Sequence, residues 1–431
     1  MPSSAPVRAG EWSNLGGDAG STRYSPLSQL TPRNLGALRI AWRRPAVASE
    51  FAASHPEVRS GNLRSTPLVV GGVMYLTNAI GLVEAIDPGS GRTLWVQDLP
   101  AGQPLTGTAT RGVALWRKGG ETRVFALRNQ RLWAIDGATG KVVTAFGSNG
   151  SVDLTARLGT IGRAMVMWNF APFVCNDVVM VGVSLNDNIK TREEPPGLVQ
   201  AFDVRSGKAA WVFNPIPRPG EFGNETWADD SWSYTGSTNV WSSGIYDPEL
   251  DYVYLPTSTP TNNYYGGHRL GNGLFAESLI CVEAKTGKRV WHFQAVHHGI
   301  WDYDFPTHPI LGDITVNGRR IKAVIQISKQ AFTYVFDRRT GVPVWPIEER
   351  PVPASTVPGE RTSPTQPYPT KPPAFDLQGT AEENLLDFTP ELRQRAYEQL
   401  QTFTHGPLFT PLTVEKSNVL MPGIAGGGNW G

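Results

Sequence analysis

The sequence predicts an all-β chain of repeated four-stranded antiparallel units. Three observations carry that prediction. The first is one short motif written five times. Residues 85–95 read Ala-Ile-Asp-Pro-Gly-Ser-Gly-Arg-Thr-Leu-Trp, and variants recur at 134–141, 201–211, 281–291 and 335–345. The second is the spacing of the copies, about 50 to 80 residues, where the shorter steps fit one four-stranded blade of a β-propeller. The third is composition: 46 Gly and 35 Pro in 431 residues suit many short strands and turns rather than a helical bundle.

Each copy has the same physical logic. An apolar strand ends at Asp or Glu, a Thr/Ser-Gly turn follows, and a second strand carries an aromatic residue. Glycine supplies the positive φ that the turn needs, and the Asp, Ser or Thr beside it bonds local backbone. Upstream of the first copy, Gly71-Gly72 separates the runs 67–70 and 73–76, which reads as a hairpin. The repeated Trp is expected to pack one blade on the next. Residues 346–378 are Pro-rich and polar and read as an ordered excursion or a linker. Thr389-Pro390-Glu391 then reads as an N-cap with Pro at the first helical position. Leu392, Ala396, Leu400 and Phe403 follow at helical spacing, predicting a short amphipathic helix packed on the rim. Residues 346–410 are thus expected to form a Pro-rich and helical insertion within a single propeller domain over 1–431. The chain stops at Asn429-Trp430-Gly431 without a closing strand, so a larger propeller whose last blades are missing is expected.

Charge and cysteine content narrow the function. Thirty-nine basic against 38 acidic residues leave no field suited to nucleic acid. No apolar run is long enough for a transmembrane helix. The two cysteines, Cys175 and Cys281, form no Cys-x-x-Cys-His haem site. The first residues carry no apolar core of a signal peptide.

Chemistry concentrates in four places. Residues 296–306, Val-His-His-Gly-Ile-Trp-Asp-Tyr-Asp-Phe-Pro, place two His beside Asp302 and Asp304, suited to a metal or a general base. His297, His298 and Trp301 equally suit a tight inter-blade loop. Ser184-Leu185-Asn186-Asp187-Asn188 offers hard oxygen ligands at Asp187 and Asn188, in a pattern that also makes an ordinary turn. Trp241, after Gly236-Ser237-Thr238-Asn239-Val240, offers a flat face beside small polar residues, suited to stacking an aromatic ligand, and reads equally as a core Trp; Thr259 and Thr261 lie in the next polar stretch. Lys329 interrupts an apolar strand region.

Together these clusters resemble the pyrroloquinoline quinone (PQQ)-dependent dehydrogenases, the quinoprotein glucose and alcohol dehydrogenases. The resemblance runs from Trp12-Ser13-Asn14-Leu15-Gly16-Gly17-Asp18 to Gly427-Gly428-Asn429-Trp430. The His-His-x-x-Trp-Asp stretch followed by Lys329 is similar to the membrane glucose dehydrogenase branch. The resemblance implies an eight-bladed propeller with PQQ on its axis, export to the periplasm, a sugar or alcohol substrate, and ubiquinone or cytochrome c as electron acceptor. It implies Asp302 as the base that takes the substrate hydroxyl proton, and Lys329 as the cation at the quinone oxygens. It implies Trp241 stacked on the PQQ ring, Arg111 on a PQQ carboxylate, and Thr261 and Asn429 as further cofactor contacts. Asp187, Asn188, Thr259, Asp302 and Asp304 are implied around the metal, Ca²⁺ or a lanthanide.

Some positions depart from the family. Gly107 stands where glucose-type enzymes carry a His, and no adjacent cysteines occur there. Thr259 replaces an Asn of the metal loop. A second reading, from a different class, is a non-catalytic propeller that serves as a scaffold for protein–protein interaction. It predicts an axial channel without convergent charge.

Overall fold

The computed structural model describes residues 10–99, 102–105, 107, 109–158, 166–185 and 192–429. Successive chain segments form separate antiparallel sheets. The first blade pairs Leu68–Val70, Val73–Thr77, Val83–Ile86 and Thr93–Val96 in chain order. The second runs through Ala114–Lys118, Glu121–Arg128, Arg131–Asp136 and Ser151–Asp153. The third uses Phe173–Cys175, Val178–Val181, Val199–Asp203 and Ala209–Phe213, and the fourth Ile245–Asp247, Tyr252–Pro256, Ser278–Glu283 and Arg289–Gln294. Ile310–Val316, Arg319–Ile327 and Thr333–Asp337 make a three-stranded fifth sheet. The expected hairpin is present: Leu68–Val70 turns into Val73–Thr77 through Gly71 and Gly72, both at positive φ.

The repeated motif is the device that joins blades. Its acidic residue caps its own turn, as where Asp87 Oδ1 accepts the N–H and hydroxyl of Ser90 at 2.8 and 2.9 Å. The Trp of one copy then reaches the next copy. Trp95 Nε1 donates to Gly137 O at 3.2 Å, Trp211 Nε1 to Ala284 O at 2.9 Å and Trp291 Nε1 to Arg338 O at 3.2 Å. Each indole lies flat on the turn glycine of that next copy. A Cβ on Gly140, Gly287 or Gly341 would stand 2.6–2.7 Å from the ring of Trp95, Trp211 or Trp291. The same glycines have φ of 69–76°, so steric room and backbone conformation both demand glycine there. The second copy has no Trp, and Gly207 of the third blade packs against the Gly147 backbone instead.

Between blades lie dry cores. One joins Phe125, Leu132 and Phe146 of the second blade to Val179, Val181 and Phe202 of the third. Another joins Tyr254, Leu279 and Trp291 to Val324, Tyr334 and Phe336.

The Pro-rich stretch is ordered, with Ile347–Pro351 paired antiparallel to Thr365–Pro369. The helix forms at Pro390–Leu400, where Thr389 accepts the Leu392 N–H. Its expected interior face forms in part, with Leu400 buried and Ala396 and Phe403 half-buried. Leu400 is its one buried residue, whereas Leu392 and Tyr397 are exposed. Leu392 precedes Leu400 by about two turns, so the apolar cover weakens toward the N-terminal end of the helix.

Candidate active site

Three loops meet at the site, and each follows a blade strand. Tyr252–Pro256 ends at Pro256, and the chain continues as Thr257-Ser258-Thr259 into Asn263. Arg289–Gln294 leads into the loop that carries Asp302 and Asp304. Arg319–Ile327 leads into Lys329. The loops are stitched by backbone bonds: Phe305 N donates to Thr257 O at 3.2 Å, and Lys329 N to Asp304 O at 3.2 Å. The chain then returns over Lys329 as glycine. A Cβ on Gly426 would lie 2.6 Å from Lys329 Cγ, and Gly427 N donates to Lys329 O at 3.0 Å. That close passage delivers Asn429 to the same place.

The result is a cavity of about 540 Å³ whose wall includes Trp241, Thr259, Asp302, Asp304, Lys329 and Asn429. Six residues chosen from distant parts of the sequence therefore share one wall. Lys329 Nζ bonds Asp302 Oδ2 and Asp304 Oδ2, each at 3.0 Å, with all three side chains largely buried. Burial alone would lower the Lys329 pKa. The carboxylates of Asp304 and then Asp302 outweigh it and hold the ammonium above the ordinary lysine range. Lys329 Nζ also stands 5.8 Å from the centre of the Trp241 ring.

Asp304 is saturated by protein donors. Its Oδ1 accepts Thr259 N at 2.7 Å and Thr259 Oγ1 at 3.0 Å; its Oδ2 accepts Lys329 Nζ and Trp241 Nε1, both at 3.0 Å. Asp304 thus orients Trp241, Lys329 and Thr259 at once. Among the described residues, His, Cys, Asp and Glu make no group of three or more suited to a metal ion. Asp187 and Asn188 lie outside the described residues.

The other expected residues stand around this wall. Thr261 is fully buried behind it, its hydroxyl donating to Ser237 Oγ at 3.1 Å, and Ser237 lines the cavity. Arg111 is one layer back: its N–H bonds the carbonyl of Asn169, a wall residue, and its guanidinium faces the Phe170 ring at 5.8 Å. Burial and the Arg64 charge bring Arg111 down to about 9. A Cβ on Gly107 would meet Ile80 O at 2.7 Å and Arg128 Nε at 3.1 Å. The two His of the Asp302 loop take the structural role. His297 faces Gln294 and Glu349, and neither ring lines the cavity. His298 Nδ1 lies 2.9 Å from Gly271 O, and burial with the nearby Arg269 charge pushes its pKa to about 4. Trp301 is fully buried and donates to Thr410 O at 2.8 Å.

Sequence reasoning missed the layer behind. Glu277 is completely buried; its Oε1 lies 2.8 Å from Thr259 Oγ1, the hydroxyl that also reaches Asp304, and a Cβ on Gly299 would lie 1.9 Å from its other oxygen. Burial, with the Asp304 charge, raises Glu277 to about 8 against the Thr259 bond. Arg269 and Asn263 were missed too. The available signal was polarity alone: Glu277 directly before the apolar strand 278–283, and Arg269 within a glycine-rich loop.

Comparison with known proteins fixes the lineage. The family described as PQQ glucose/ethanol/alcohol dehydrogenase, β-propeller domain, matches residues 12–431. The chain belongs to this PQQ-dependent dehydrogenase family. Among curated relatives it is 31% identical to the glycerol dehydrogenase large subunit of Gluconobacter oxydans, over 99% of this chain and 58% of that protein. It is 29% identical to the quinoprotein glucose dehydrogenase of Escherichia coli, over 99% of this chain and 54% of that one. The chain thus spans little more than half the length of these relatives. Among solved structures, the quinohemoprotein alcohol dehydrogenase ADHIIG of Pseudomonas putida superimposes with a TM-score of 0.67 at 27% identity, covering 98% of this chain and 55% of that one. The repeated sheets are therefore the family's propeller blades, and the cavity lies among loops of that propeller.

The wall suits PQQ, a flat tricyclic o-quinone bearing three carboxylates. Trp241 offers an aromatic face, Lys329 a cation, and Asn169, Asn239 and Asn429 amide donors, in a volume suited to a ligand of that size.

Proposed function

We propose that this chain holds PQQ in the Trp241–Lys329 cavity of a dehydrogenase that oxidises a polyhydroxy alcohol or aldose. The observation that carries the reading is the buried Asp302–Lys329–Asp304 cluster beside the Trp241 face. A scaffold has no use for charge gathered in this way, because burying it is costly unless it is paired. The substrate class is supported by the wall. Asn169, Asn239, Asn263, Ser237 and Ser258 supply paired donors and acceptors of the kind that select hydroxyl-rich ligands. The glycerol and glucose dehydrogenases among the relatives agree with that choice.

When bound, PQQ would supply the hydride acceptor and a metal ion would supply Lewis-acid polarisation. Asp302 takes the proton of the substrate hydroxyl. Lys329 fixes Asp302 Oδ2, so proton transfer goes to Oδ1. Lys329 also offers its remaining N–H toward developing negative charge. Asp304 keeps Trp241 and Lys329 in place and acts through them. Asn429 offers a cofactor contact from the wall, and Arg111 and Thr261 act from behind it. On the family pattern, Ca²⁺ or a lanthanide ion would be held by Asp302 and Thr259 together with Asp187 and Asn188, where it would supply a Lewis acid. Family membership supports periplasmic placement, and ubiquinone or cytochrome c as acceptor.

The test is a PQQ titration of the full protein, with and without Ca²⁺, read by tryptophan fluorescence and followed by dye-linked oxidation of glycerol, glucose and ethanol. Saturable quenching with turnover of the polyols is expected. A cooperatively folded protein that binds no PQQ would be a scaffold.

A further inference from the structure

The geometry points to Asn263 as the residue that aims the Asp302 carboxylate, with Arg269 holding the two loops involved in register. The inference rests on Asp302 being the proton acceptor. Asn263 Nδ2 donates to Asp302 Oδ1 at 3.3 Å, while Lys329 Nζ takes Oδ2 at 3.0 Å. The two oxygens are therefore held by different residues, from two different loops. A carboxylate gripped at only one oxygen turns about its χ2, a soft and broad torsion. A second donor on Oδ1 selects one orientation.

That selection works only if the loops do not slide, and Arg269 prevents sliding. Its guanidinium is almost wholly buried. Nε donates to Thr261 O at 3.0 Å, and Nη2 to Asn262 O at 2.8 Å. The same Nη2 donates to Gly299 O at 2.7 Å, on the loop of Asp302. One planar fork thus ties the two residues before Asn263 to the residue three before Asp302, which a lysine cannot do. Both loops are pinned on their far sides as well. Gly266 N donates to Glu360 Oε1 at 2.8 Å, Trp301 is anchored on Thr410, and Tyr303 OH donates to Pro422 O at 2.8 Å. Asp302 itself sits at φ 58°, a left-handed conformation that Asp tolerates and that such bracing maintains. Asn263 faces the cavity, so the side chain that aims the base also lies beside the substrate.

The test compares wild type with Asn263→Ala, Asn263→Asp and Asn263→Gln, by kinetics and by crystal structures without substrate. We expect Asn263→Ala to lower kcat about 10- to 100-fold, the scale set by misorienting a reacting group. PQQ affinity and Tm stay at wild-type values. Asn263→Asp, which replaces the donor by a like charge, falls further, and Asn263→Gln, which keeps the donor, recovers part of the rate. In the Asn263→Ala crystals the Asp302 carboxylate turns away from its wild-type plane. An unmoved carboxylate in those crystals, or wild-type kcat in Asn263→Ala, overturns the inference. If wild type binds PQQ but oxidises no alcohol or sugar, the proposed function fails, and the crystals still decide the role of Asn263.

Discussion

Lys329 and Trp241 are held by the same oxygen: Asp304 Oδ2 accepts the ammonium and the indole N–H at 3.0 Å each. The cation and the aromatic face of the cavity therefore share one anchor, and disturbing either disturbs the other.

Removing the cation should be costly twice over. Lys329→Met leaves Asp302 and Asp304 as buried neighbouring carboxylates without their shared ammonium. Breaking a buried pair in this way destabilises by about 3–5 kcal/mol. Chemical denaturation should show that loss, and dye-linked turnover should disappear with it.

Trp241 separates two contributions. Trp241→Phe keeps a flat ring and loses the donor to Asp304, a net cost of about 1 kcal/mol. PQQ titration should show a modest loss of affinity for Phe. Trp241→Ala also removes the stacking face, worth about 0.5–1.5 kcal/mol beyond its buried area, and should bind clearly more weakly than Phe.

Glu277 makes stability depend on pH. Its folded pKa, raised to about 8, lies above the ordinary 4.5. Between those values the folded protein holds a proton that the unfolded chain has released. Its contribution is therefore full below about 4.5 and is lost as pH rises toward about 8. Tm should fall across that window, and Glu277→Gln, which cannot ionise, should flatten the fall.

The blade joint should tolerate no side chain. Gly287→Ala puts a Cβ 2.6 Å from the Trp211 ring at a φ of 69°. Overpacking of this kind costs about 1–3 kcal/mol. Calorimetry should record a lower Tm for Gly287→Ala with unchanged PQQ affinity, because Gly287 is remote from the cavity wall.

The blades were legible because their signal is repeated and local. Asp87 bonds Ser90 three residues on, and the Trp–Gly contact recurs for Trp95, Trp211 and Trp291. The resemblance to the family pattern singled out Asp302, Lys329 and Trp241, and the structure brings these three to one cavity wall. Asn263, Arg269 and Glu277 were not. Their roles depend on contacts between loops, such as Arg269 reaching Gly299 O across 30 residues, and no local pattern encodes these. The helix was legible in part: of the apolar residues spaced over 392–403, Leu400 is buried, Ala396 and Phe403 are half-buried, and Leu392 is exposed.

The most direct test of the account is PQQ binding and polyol oxidation by Asp302→Asn. The substitution keeps the shape of the side chain and removes the proton acceptor. The account predicts PQQ affinity close to wild type with kcat lowered by about 10²- to 10⁴-fold, the usual worth of a general base. Turnover near the wild-type rate in a PQQ-loaded Asp302→Asn protein would contradict it.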